Sequence, residues 1–157
     1  MITAKVLGWH INLEPCDGPD ILRKLQGMEI TVSNVASLML KLVPAAPAAL
    51  QLDVRAISVR ELGLRGNVTL QKIYDRATYH GLKLCRWDVA PQLLLNFGPD
   101  FLGTELHRLA MEPVLVPGVG LCIFVVGHPT NLTRLMFSHG DPTLRWDLDR
   151  KFLFAVI

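Results

Sequence analysis

Residues 68–97, VTLQKIYDRATYHGLKLCRWDVAPQLLLNF, decide the fold class, because helix and strand signals follow one another with almost no connection. Thr69 stands as an N-cap, and Leu70, Ile73, Tyr74 and Ala77 recur at helical spacing. Gly81 sits where a left-handed residue closes such a helix, with Leu82 packing back onto it. Asp88 and Pro91 then suit a one-turn helix, and LLLNF reads as a strand.

Working upstream, residues 4–13 read as a strand. Asp17, Gly18 and Pro19 open a helix whose apolar face is Ile21, Leu22 and Leu25 and whose stop is Gly27. Ser33 caps a second helix running to Val43. Val35, Leu38, Met39 and Leu42 form its predicted buried stripe, and Pro44 ends it. The proline-stiffened segment 44–51 connects it to LDVRAISV, residues 52–59, a β-branched strand.

Downstream the pattern becomes a meander. TELHRLAMEPVLV (104–116), LCIFVVGH (121–128) and LTRLMFSH (132–139) read as strands joined by tight turns, and KFLFAVI (151–157) as a buried final strand. Residues 121–126 and 152–157 are almost wholly apolar, which predicts central strands covered on both faces. The expectation is one α+β domain over 1–157. Its helical part spans 1–43, its connector 44–51 and its α+β part 52–157, with N-terminal helices on a mainly antiparallel sheet formed chiefly by the C-terminal meander.

A chain of 157 residues, half of them hydrophobic and only 19% charged, carries enough apolar material for a large core and excludes intrinsic disorder. Cys16, Cys85 and Cys122 are widely spaced with no CxxC pair, the pattern of reduced thiols in a cytoplasmic protein. The opening MITAKVLGWHINLEP lacks the uninterrupted apolar run of a signal peptide. The most apolar stretch, 35–50, is interrupted by Lys41, Pro44 and Pro47, so no membrane span is expected.

The run ELGL (61–64), VTLQKIYDRATYHGLKLC (68–85), DVAPQLLLNF (88–97) and ELHRLAMEPV (105–114) resembles a group of small bacterial proteins of unassigned function. Those share a capped helix, a Gly-Leu-x-Leu-Cys step, an x-Val-Gly-Pro-x-Leu strand start and an Ala-Met-x-Pro strand. The likeness covers about residues 58–115. Here Arg86 follows Cys85 in place of proline, Ala90 replaces glycine and Leu94 replaces a basic residue. The resemblance implies a shared fold and carries no activity.

Residues 54–87 hold seven cations against two acids, a net charge of +5 in a chain of +2. Arg60, Arg65, Lys72, Arg76, Lys83 and Arg86 are the candidate nucleic-acid-binding residues, with Tyr74, Tyr79 and Trp87 interleaved as stacking surfaces. The competing reading is a solvated helix face with arginine stems lying along it.

A second constellation, His128, His139 and Asp141 at turn ends with Glu105, His107 and Glu112 on one strand, has the residue types of a metal site or a small hydrolase. It lacks the close spacing either needs. Polar turn residues explain it more simply. Apolar neighbours mark Cys85 and Cys122 as buried rather than nucleophilic. The glycines of GVGLCIFVVG (118–127) precede a strand instead of opening a helix, so they do not form a phosphate loop. Asp147 and Asp149 read as an acidic turn, and Trp87 and Trp146 as packing residues.

No cofactor, metal site or catalytic set is assigned. The function expected is a non-enzymatic binding or accessory protein acting on a protein partner or a second copy. Nucleic acid is the alternative partner, and a small hydrolase with turn-end His and Asp residues is the third possibility.

Overall fold

The structure, a computed structural model, describes residues 7–127 and 133–156. Its elements run β1 (Leu7–Leu13), α1 (Gly18–Gly27), β2 (Thr31–Val32), α2 (Asn34–Leu42), β3 (Leu50–Ser58), β4 (Val68–Thr69), α3 (Leu70–Tyr79), β5 (Leu82–Lys83) and α4 (Val89–Phe97). Then come β6 (His107–Leu109), β7 (Val114–Val116), β8 (Gly120–Val126), β9 (Thr133–His139), β10 (Arg145–Trp146) and β11 (Lys151–Val156). The fold is α+β, built on one large mixed sheet of order β1-β3-β11-β6-β8-β9-β2. Within it β5 extends the pairing along β11, and β7 that along β8. The β11–β6 and β2–β9 pairs are parallel and the others antiparallel.

Side chains of β11 alternate between two buried layers. Phe152 and Phe154 face α3, whose Tyr74 ring meets both edge-on at 6.4 and 6.3 Å. Leu153 and Ala155 face the opposite way, with Val54 of β3 and Trp9 of β1 in register beside them. The helices α1, α2 and α4 pack on that second side. A strand fully buried on both faces reads as a continuous apolar run, which is why KFLFAV is legible as central.

The local signals of α3 hold in detail. Thr69 Oγ1 accepts the Lys72 amide at 3.3 Å, Gly81 is left-handed at φ +79°, and Leu82 is buried. Four expectations need correction. LLLNF is not a strand: residues 89–97 form one helix, α4, buried on nearly every side. A short apolar run has no periodicity to separate strand from buried helix, and the strand start implied by the resemblance fails for the same reason.

Residues 104–116 are not one strand either. The ladder breaks at 110–113, where Pro113 has no N–H to give, leaving the short strands β6 and β7. Helix α1 ends at Gly27, but Gly27 is not its left-handed cap. The left-handed residue is Glu29 at φ +59°, and the Ile30 amide donates to the Leu25 carbonyl at 2.9 Å. In α2 the buried residues are Ala36, Met39 and Leu40, while Leu38 and Leu42 remain 45% and 49% exposed. The polar residues Asn34, Ser37 and Lys41 share one face of this helix, Leu38 and Leu42 border that face, and Ala36, Met39 and Leu40 lie opposite it. The close approach of Gly18 to the Leu40 carbonyl fixes that inner face against α1.

Candidate binding surfaces

The six cations singled out in the sequence fall into different surroundings. Arg60 pairs with Asp149 at 3.0 Å, and Arg65 is exposed in the loop before β4. Lys72 and Arg76 stand one turn apart on α3. Arg76 Nε donates to the Leu62 carbonyl at 3.0 Å, and its guanidinium lies 4.5 Å from the ring centre of Tyr79, itself 72% exposed. Lys83 lies on the other side of α3, in a cleft of about 250 Å³ with Gln71, Asp75 and Glu112.

Arg86 is only partly exposed and is committed to a buried carboxylate. Its Nε and Nη2 donate to Asp88 at 2.6 and 2.8 Å, and its Nη1 to the Ala48 carbonyl at 2.9 Å. Asp88, 0% exposed, also accepts from Gln92 Nε2 at 2.7 Å and from the Cys16 thiol at 3.6 Å. The geometry thus brings Lys72 and Arg76 together with Tyr79, and sets Lys83 and Arg86 apart from them.

The histidines and acids do not converge on a reaction centre. His128 lies outside the described residues. His139 is exposed, and Asp141 accepts from the Thr143 amide and hydroxyl at 2.8 and 2.6 Å, bonds that hold its carboxyl below its ordinary value and build a turn. Glu105 pairs with Lys151 at 2.7 Å. Asp147 meets Arg150 at 3.4 Å and accepts the Asp149 amide, the acidic turn the sequence suggests. No group of three or more His, Cys, Asp or Glu residues able to hold a metal occurs among the described residues. Burial raises the Cys16 thiol to about 11 with the Asp88 charge adding to the effect, and burial also raises Cys85 and Cys122. All three thiols are protonated at neutral pH.

His107 is fully buried on β6, with Nδ1 3.3 Å from the Glu105 carbonyl and no partner for Nε2. Burial lowers its pKa, the Glu105 carbonyl and carboxylate oppose that, and Lys151 and Arg108 add to it. The native state therefore binds the proton less readily than the unfolded chain. That contribution to stability is complete above the unfolded value of about 6.5 and shrinks as pH falls below it. Urea denaturation at pH 7.5 and 5.5 is expected to show a smaller loss for His107→Leu than for the wild type. Equal losses would clear His107 as the cause.

The Met111–Pro113 break in the ladder separates the Lys83 cleft from a larger, mostly apolar groove of about 480 Å³. Pro44 ends α2 and leaves Leu42 and Val43 at one wall of this groove. Trp87 Nε1 donates to the Pro44 carbonyl at 3.0 Å and ties that wall to the Cys85–Trp87 turn. The other wall is Pro113, Val114 and Leu115, and Leu115 projects 67% exposed between its two neighbours on β7. Leu38, one turn before Leu42 on α2, continues the exposed apolar strip. Leu115 gave no warning in the sequence, because Val114, Leu115 and Val116 are all apolar and their order does not say which stays outside.

No helix among the described residues is long and apolar enough to cross a membrane. Comparison of the chain with family models, with curated proteins and with solved structures gives no match in any of the three, so its function rests on the side chains themselves.

Proposed function

We propose that this chain is a non-enzymatic binding protein of the cytoplasm that takes an apolar segment of a protein partner, or of a second copy, into the groove between Leu42, Trp87 and Leu115. One observation carries the reading: large aliphatic side chains stand exposed on both walls of a concave, largely carbon-lined groove. Exposed leucines scattered singly need no explanation, but leucines gathered around a groove mark contact surfaces. The dispersed histidines and acids and the protonated thiols favour binding over catalysis.

The nucleic-acid reading draws its support from Arg76 against the exposed Tyr79 ring with Lys72 one turn away, a cation–aromatic surface of the kind on which bases stack.

Native mass spectrometry of the protein taken from its source cells distinguishes these occupants. The groove reading expects a protein complex or dimer, weakened at least about tenfold by Leu115→Asp, the scale of one buried leucine at an interface. The melting temperature of the isolated variant should not change, because Leu115 is exposed. A wild-type monomer carrying no protein, or a complex indifferent to both Leu115→Asp and Leu42→Asp, would end this reading. Co-purifying nucleic acid released by salt would replace it with the alternative.

A further inference from the structure

Among the described arginines, one guanidinium is out of keeping with the rest. Arg23, Arg60, Arg86, Arg134 and Arg150 each meet a carboxylate, and Arg55, Arg76 and Arg145 each donate to a backbone carbonyl. Arg65 makes no such contact but stands in solvent. Arg108 is half-buried and enters no hydrogen bond or ion pair among the described residues, and its Nε is shielded with no acceptor in reach. Its position is forced by the sheet. Parallel pairing sets Arg108 opposite Phe152, so its side chain leaves β6 on the Phe152 side and its guanidinium comes to 5.5 Å from the ring centre of Trp146.

A cation partly withdrawn from water with only a ring face beside it is costly, and buried charges in native proteins are found paired. The surroundings of Arg108 increase that cost. Burial and the neighbouring Arg150 both push its pKa down, and Asp147 only partly opposes them.

The same guanidinium opens onto a shallow pocket of about 260 Å³. Its charged lining is Arg108, Arg145 and Arg150 against Asp147, an excess of positive charge whose most buried member has no hydrogen-bond partner among the described residues. Ser138 and His139 bring further polar groups to the rim, while Leu144 and Trp146 supply an apolar wall. Planar N–H forks match the oxygens of a phosphate, and the excess positive charge suits a dianion. The pocket has room for one phosphate and a small organic group.

We propose that Arg108, Arg145 and Arg150 form a binding site for the phosphate group of a small phosphate ester, whose organic part rests on Leu144 and Trp146. The site is separate from the apolar groove and does not depend on the function assigned to it.

Calorimetric titration and thermal scans at constant ionic strength test this, with inorganic phosphate and phenyl phosphate as probes and chloride as the control salt. Both probes should raise the wild-type melting temperature where chloride does not. Phenyl phosphate should bind at least about tenfold more tightly, because a phenyl group gains an apolar contact. Arg145→Gln, at an exposed position, should weaken phosphate binding by about tenfold to a hundredfold, the loss of one charge-assisted bond.

Arg108→Met should abolish the phosphate response while melting no lower than the wild type in its absence, since methionine keeps the apolar stem and removes the unpaired charge. A structural arginine would behave in the opposite way. A lower melting temperature for Arg108→Met, together with a wild type that ignores phosphate, would overturn the site. Responses of equal size in the wild type and both variants would reduce the effect to nonspecific salt. Equal affinity for the two probes would overturn the organic ester.

Discussion

Gly18→Ala is expected to destabilise the protein by about 3 kcal/mol or more, the upper end of what an added methyl group does in a packed interior. A Cβ at this position would lie 1.5 Å from the Leu40 carbonyl oxygen and 2.5 Å from its carbon. Both are backbone atoms of α2, so no rotamer change relieves the clash and the two helices must separate. Helix propensity points the other way, since alanine within a helix gains about 1 kcal/mol over glycine. The sign of the result therefore decides which effect wins.

Gly27→Ala is the control. Its Cβ would meet nothing within 4 Å, and Gly27 lies within α1 rather than at its left-handed stop. That substitution should stabilise by about 0.5–1 kcal/mol. Urea denaturation of the two variants supplies the comparison. If Gly18→Ala lost less than about 1 kcal/mol, the contact between α1 and α2 would not be what sets their spacing.

The second large effect is expected at Arg86. Arg86→Ala removes a two-pronged partner from a carboxylate that is 0% exposed, and breaking a buried pair in this way costs about 3–5 kcal/mol. Asp88 would keep only Gln92 Nε2 and the Cys16 thiol, and the Ala48 carbonyl would lose its donor. Arg86→Lys should recover part of the loss, because it restores the charge but not the fork. A loss below about 1 kcal/mol in Arg86→Ala would show that the carboxylate reaches water once the guanidinium is gone. Arg86 is one of the cations that suggested nucleic-acid binding. Lost binding in an Arg86 variant would therefore reflect lost structure, whereas Lys72 and Tyr79 are exposed and free of that ambiguity.

What could be read in advance was whatever local chemistry determines. The Thr69 and Ser33 caps, the Gly81 stop and the apolar β11 each follow from the residue and its immediate neighbours. What could not be read depends on partners distant in the chain. Leu93, Leu94 and Leu95 are equally compatible with a strand until α1 and β1 close over α4. The close seating of α2 on α1 depends on Gly18, about twenty residues before Leu40 in the chain. Arg108 lay outside the basic segment that drew attention in the sequence. An arginine between two buried residues in His-Arg-Leu was the one available hint.

The placement of β11 bears on how the chain reaches this structure during synthesis. It is the latest of the described strands to emerge, yet it lies between β3 and β6 at the middle of the sheet. Until residues 151–156 leave the ribosome, the β1–β3 ribbon and the β6–β9 strands each present an open edge toward the place β11 will fill. Unpaired edges are templates for wrong pairings, and contacts as distant in the chain as Leu153 with Ala56 form slowly. The nascent protein thus passes through its most association-prone form just before it closes, and a chaperone that binds extended apolar segments would find its target in that interval.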